Sequence, residues 1–342
     1  AKGNDERRGE RAMKTDWAGI VAEKLAEVPE GYVRESILSP TAPETIHHRL
    51  FFQRGGKGAL ERAELFPGLT LTRMCIQSED FPHHHAARQG GLELTHCHIG
   101  RVGWSMKEGV TLYLGPGDLA LHTMDCCAHS VLGFPLGYYE GVSLTLDPEK
   151  LAAQLPPVLA QAGVDPLALR ERFCPKGHPA VLTARPELEP IFQPLYDLPR
   201  ALRLPYYTLK VQELLLTLSR MDPPEEKQPT QYLSQQVELI RAIHDQLMDR
   251  PDQRVTIETL AKAYHLNTST LKTVFKAVYG QPIAAHMKHH RMQEAARLLR
   301  ETDRSVGDIA QQVGYENQSK FSKVFRETFQ ILPTEYRRQQ RG

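Results

Sequence analysis

Residues 309–329 read IAQQVGYENQSKFSKVFRETF, and this stretch decides the reading of the chain. An apolar-alanine pair, Ile309-Ala310, is followed by a turn ending in Tyr315, and Phe321, Val324 and Phe325 then recur at helical spacing. The pattern predicts two amphipathic helices with a tight turn between them. Asn317 stands four residues before Phe321, where its side-chain oxygen can satisfy the free N–H groups that open a helix. The outward positions of the second helix are Ser319, Ser322, Lys323 and Arg326, hydrogen-bond donors with no carboxylate among them until Glu327. Such a face suits the edges of bases and the phosphate oxygens of a major groove.

The same plan occurs upstream. TIETLAKAYHLNTSTLKTVFKAVYG (256–280) repeats the features of SVGDIAQQVGYENQSKFSKVFRETF (305–329): Leu260-Ala261, a turn ending in Leu266, a capping Asn267, and an apolar side at Leu271, Val274, Phe275 and Val278. Its outer face offers Ser269, Lys272, Thr273 and Lys276. One amphipathic helix with a polar face is an ordinary solvated element. Two in repeat, each in helix-turn-helix register, point to nucleic acid.

With PIAAHMKHHRMQEAARLL (282–299) between the units and Pro333, Tyr336 and Arg337 at the end, residues 236–340 resemble the paired helix-turn-helix domain of AraC/XylS-type transcription regulators. The resemblance implies a connecting helix that places the two recognition helices in successive major grooves of double-stranded DNA, about 34 Å apart. It implies base contacts from Ser319, Lys320 and Lys323 and phosphate contacts from Ser322 or Arg326, with Asn317 as the cap. Thr273 is a short side chain where the family's signature basic residue is expected in the first helix. Gln330 stands where the family usually has glycine, so a cap without the favoured left-handed residue is expected.

Composition sets the outer bounds. The chain has 342 residues, 41% hydrophobic and 24% charged, as in globular proteins of two or three domains. No run reaches the eighteen or more apolar residues of a membrane helix, and no secretory signal pattern opens the chain, so a cytoplasmic protein with no membrane partner is expected. The five cysteines (Cys75, Cys97, Cys126, Cys127, Cys174) are odd in number and lack CxxC spacing, which predicts reduced thiols. The net charge of +1 is uneven: from 231 to 342, 17 lysines and arginines face 12 acidic residues. His244, His265, His286, His289 and His290 are expected to add positive charge there at mildly acidic pH.

Between Leu50 and Leu146, short apolar segments separated by glycine and proline predict a β-barrel or sandwich, and LYLGPGDLALH (112–122) resembles a cupin strand-turn-strand. That resemblance implies an effector-binding barrel and leaves the effector open: a siderophore, haem or another small molecule. His96 and His98, two apart on a strand, share a face and with Cys126 or Cys127 are candidates for ligand contact. The glutamate of the cupin metal motif is missing, Arg101 and Val102 standing in its place, so no metal, cofactor or catalytic residue is expected. A metal-dependent cupin enzyme with a DNA-binding appendage is the competing reading. The PHHH run (82–85) reads as a polar loop. LPYYTLKVQELLLTLSRM (204–221) predicts a helix whose Tyr207, Val211, Leu214, Leu215 and Leu218 share one side. That stripe either packs on the barrel or pairs subunits into a homodimer, with Leu214 and Leu218 the expected pairing residues.

The expected architecture is multidomain α+β. It comprises an N-terminal tail and helix (1–40), a cupin-like β-barrel (41–147), a helical dimerisation or packing region (148–221) and a linker (222–235). An all-α domain of two helix-turn-helix units joined by a helix (236–342) follows.

Overall fold

Short strands punctuated by glycine and proline corners build the N-terminal part, and capped helices build the rest. The computed structural model describes residues 46–51, 56–84, 90–106, 109–124, 129–224, 231–253 and 255–341. The expected tail and helix over 1–40, with His85, Cys126 and Cys127, lie outside the described residues. The chain divides into two units, Ala1–Leu233 and Ser234–Gly342.

The first unit contains β1 (Ile46–Phe51), β2 (Lys57–Phe66), β3 (Leu69–Gln77), β4 (Asp80–His84), β5 (Leu92–Gly100), β6 (Val102–Ser105), β7 (Val110–Leu114), β8 (Leu119–Thr123), β9 (His129–Gly133), β10 (Tyr139–Leu146), β11 (Ala180–Leu182) and β12 (Gln231–Leu233). They form two antiparallel sheets, ordered β1-β2-β3-β10-β5-β8-β11 and β12-β7-β6-β9-β4. Of the barrel or sandwich expected, the described residues give two packed antiparallel sheets, with no strand pair closing either one. The corners explain this. At Gly100 (φ 81°) the chain leaves β5 for the other sheet, and a Cβ there would collide with the Tyr138 carbonyl. LYLGPGDLALH is a strand-turn-strand whose strands lie in different sheets: Asp118 accepts the Gly115 N–H at 2.7 Å and the Ala184 N–H at 3.1 Å, fixing the corner. The PHHH run also differs from expectation, because Pro82, His83 and His84 belong to β4, which pairs with β9. As an edge strand β4 tolerates a proline without an N–H.

Register assigns the faces. Leu144 of β10 lies between Leu71 of β3 and Leu94 of β5, and Val142 between Arg73 and His96. The leucine row packs under α1 (Pro148–Ala153), α2 (Pro157–Gln161), α3 (Pro166–Phe173), α4 (Glu189–Phe192) and α5 (Arg200–Arg220). The opposite side of this sheet, including Met74, Ile76, Cys97 and Tyr139, meets Val102, Trp104, Leu112, Leu114 and Phe134. Asp147 and Asp165 cap α1 and α3, each followed by a proline whose missing N–H costs nothing at a helix start.

Helix α5 begins four residues earlier than expected and carries Pro205 within it. Tyr207, Val211, Leu214, Leu215 and Leu218 lie in the same core as the sheet leucines, with Leu214 and Leu218 each 1% exposed. The expectation that these two leucines pair subunits is therefore corrected. The sheet face needs an apolar cover, and this stripe supplies it within the chain. The outer side of α5 exposes Leu202, Tyr206 and Leu209 instead, at 46%, 39% and 63%.

The second unit is helical: α6 (Ser234–Asp249), α7 (Ile257–Ala263), α8 (Thr268–Tyr279), α9 (Ile283–Glu301), α10 (Val306–Gln312), α11 (Gln318–Phe329) and α12 (Pro333–Arg341). The linker expected over 222–235 differs at its end, since Gln231–Leu233 pair with β7, whose open edge offers unpaired backbone groups. Among the described residues no helix is long and apolar enough to cross a membrane.

Candidate nucleic-acid interface

Each helix-turn-helix unit is built by local chemistry. Thr256 caps α7, and Ser305 with Asp308 forms a reciprocal capping box on α10. Asn267 accepts the Thr270 N–H at 2.6 Å to open α8, and Asn317 accepts from Ser319 and Lys320 at 2.8 and 3.1 Å to open α11. Matching backbone bonds close the turns, Leu266 N–H to Ala261 O at 2.9 Å and Tyr315 N–H to Ala310 O at 2.8 Å. The left-handed residue at the equivalent place in each turn is His265 (φ 54°) and Gly314 (φ 83°). The second turn is longer by one residue, Glu316, before its asparagine cap.

The recognition helices bury one side and present the other. Helix α8 buries Leu271, Val274, Phe275 and Val278, while Ser269, Lys272, Thr273 and Lys276 are exposed. Helix α11 buries Phe321 and Phe325, while Asn317, Ser319, Lys320, Lys323 and Arg326 are exposed and Ser322 is half-buried. Its first carboxylate, Glu327, is drawn to Lys288 of α9 at 3.6 Å, which leaves the N-terminal part of the face cationic. Sequence reasoning did not single out Lys288; the lone acid on a basic face was the available signal. The cap after α11 is made without glycine: Gln330 itself adopts φ 63°, its N–H reaching the Arg326 carbonyl at 2.8 Å.

The histidines of this unit do not behave alike. His286 is half-buried against Tyr279, Phe275 and His244, and the lost hydration there, reinforced by His244, His290 and His289, lowers its pKa to about 3. Burial also pushes His290 down. The expected gain of charge at mildly acidic pH is corrected for His286, because an imidazolium loses hydration there.

In the first unit, His96 and His98 are held by aromatic packing. His96 stacks on Phe192 at 3.9 Å and meets the Tyr196 hydroxyl at 2.8 Å, and His98 stacks on the Tyr196 ring at 3.9 Å. Among the described residues no three His, Cys, Asp or Glu side chains gather as a metal site would require.

Residues 260–339 match the family model described as a helix-turn-helix domain. The regulatory protein SoxS of Salmonella typhimurium is 32% identical over 100 residues, covering 29% of this chain and 94% of SoxS. The HTH-type transcriptional activator RhaR of Mannheimia succiniciproducens is 36% identical over 85 residues, which span 25% of this chain and 31% of RhaR. Among solved structures, the C-terminal domain of AraT, a response regulator from Geobacillus stearothermophilus, is 27% identical, covers 30% of this chain and 87% of that one, and has a TM-score of 0.30.

Proposed function

Because the chain belongs to the AraC-type family of helix-turn-helix transcription regulators, we propose that α8 and α11 together read one asymmetric operator and that a small-molecule effector acts through the first unit. The protein is a DNA-binding transcription regulator. The observation that carries the two-helix reading is the repeat itself: two capped helices, each with a buried apolar side and an exposed donor face. On α11, Ser319, Lys320 and Lys323 address base edges, and Ser322 or Arg326 a phosphate. On α8, Ser269, Lys272 and Thr273 face bases and Lys276 a phosphate. Selection of duplexes from a random library, followed by footprinting, tests this reading. Protection of a single major groove would overturn it.

The effector reading assigns sensing to the cupin-like double sheet. It is supported by a buried polar group between the sheets. Glu93 accepts the Ser143 hydroxyl, His122 lies 3.7 Å from Glu93, and the Trp104 ring is 5.4 Å from His122 with its indole N–H buried and unpartnered. Polar groups are costly in such a core unless a partner or ligand meets them. A native mass spectrum of the purified protein, with and without denaturation, tests for a retained molecule. The homodimer reading is supported by the exposed stripe Leu202, Tyr206 and Leu209, which recur at helical spacing on α5.

A further inference from the structure

The two helix-turn-helix units share α9, yet a shared helix alone does not fix how far one unit rolls around it. The turn between α6 and α7 supplies a second connection. Its backbone is folded by a bond from the Gln253 N–H to the Arg250 carbonyl at 3.1 Å. Arg291, from the middle of α9, grips that turn: Nε donates to the Pro251 carbonyl at 2.7 Å and Nη2 to the Gln253 carbonyl at 3.1 Å. The other side of the turn abuts the second helix-turn-helix. A Cβ on Gly314 would lie 3.0 Å from both the Pro251 and the Asp252 carbonyl oxygens. Beside this contact the surface opens into a polar groove lined by Pro251, Asp252, Arg304, Asp308, Gln311 and Gln312. One short turn beside the first helix-turn-helix thus touches the connecting helix and the turn of the second helix-turn-helix.

We infer that Arg291 is a positioning residue that, by clamping the 250–253 turn against Gly314, sets the spacing at which α8 and α11 meet DNA. The inference rests on the two-helix reading proposed above. A guanidinium suits this task because its planar fork donates to two carbonyls at once, whereas an ammonium is a point donor without that geometry. Gly314 suits it because it takes the left-handed turn and leaves room for the carbonyls. Arg291 need touch no nucleotide to act. Two linked contacts gain avidity only when their geometry permits both at once.

The test uses the full-length protein and a duplex selected from a random library. Affinity is measured on that duplex, on duplexes with either half scrambled, and on duplexes with one base pair inserted or removed between the halves. Linking two sites yields roughly 10²–10⁴-fold in avidity. Arg291→Ala is expected to forfeit at least about tenfold of this on the selected duplex, leave single-half binding within about twofold, and flatten the dependence on spacing. Arg291→Lys, which keeps the charge, should fall between. A uniform loss on whole and half sites with an unchanged spacing profile would overturn the inference and make Arg291 a residue of general stability. A wild-type protein indifferent to scrambling of one half would instead overturn the two-helix reading, and the inference with it.

Discussion

His244 and His286 meet Nε2 to Nε2 at 3.1 Å between α6 and α9, with Tyr279 stacked on His244 at 4.1 Å. The contact accommodates one proton. Asp245 lies 3.3 Å from Nδ1 of His244, Gln281 holds Nδ1 of His286 at 3.1 Å, and His289, His290, Arg291 and Glu294 complete the charged surroundings on α9. Burial holds His286 near a pKa of about 3, well below the ordinary 6.5. Above pH 6.5 both folded and unfolded chains carry it neutral. As pH falls from 6.5 toward 3, the unfolded chain takes up the proton and the folded chain does not, so stability declines by up to about 1.4 kcal/mol per pH unit. Urea midpoints at pH 7.5, 6 and 5 should fall steeply for the wild type and less so for His286→Gln. Parallel declines would assign the acid sensitivity to other groups.

On the DNA face, the two kinds of contact predict different losses. Lys323→Ala should cost about 1–3 kcal/mol on the selected operator and relax discrimination at one or two positions. Lys276→Ala and Arg326→Ala should weaken binding to all sequences and reduce the salt slope by about one. A Lys323 variant that loses equally on random DNA would be a phosphate contact only.

The two faces of α5 predict opposite outcomes for the same substitution. Leu214→Glu or Leu218→Glu places a carboxylate among the sheet leucines, at positions 1% exposed, and should unfold the first unit at a cost of several kcal/mol. Leu209→Glu, at a position 63% exposed, should leave the fold intact and, on the homodimer reading proposed above, shift sedimentation from dimer to monomer. A dimer unaffected by Leu209→Glu would put the pairing surface elsewhere.

Gln330 is a left-handed cap made by a side-chain-bearing residue, a conformation that costs about 1–2 kcal/mol for most residues and little for glycine. Gln330→Gly should therefore raise stability by about 0.5–1 kcal/mol, after the loss of the bond from Gln330 Nε2 to the Glu327 carbonyl and the greater freedom of the unfolded chain. Thermal melting measures it, and a lower midpoint would mean the side-chain bond outweighs the backbone strain.

The helix-turn-helix units were legible because their determinants are local. Asn267 and Asn317 lie within three residues of the N–H groups they satisfy, and Phe321 and Phe325 share a side by helical period alone. The sheets were legible only as a set of strands, because Leu71, Leu144 and Leu94 are neighbours through a register that local sequence does not specify. His83 and His84 resembled loop residues for the same reason, since only the pairing with β9 makes them part of a strand.

The sequence by itself determined the repeated helix-turn-helix plan, its caps and its donor faces, since each follows from side chains a few residues apart. Only the tertiary structure decided that the Leu214 and Leu218 side of α5 covers a sheet, that His286 stays neutral, and that Arg291 reaches a turn about forty residues away in sequence. The physical reason is the same in each case. Burial and charge depend on what long-range packing brings alongside a residue, and an amphipathic stripe or a histidine in a sequence does not name its neighbour.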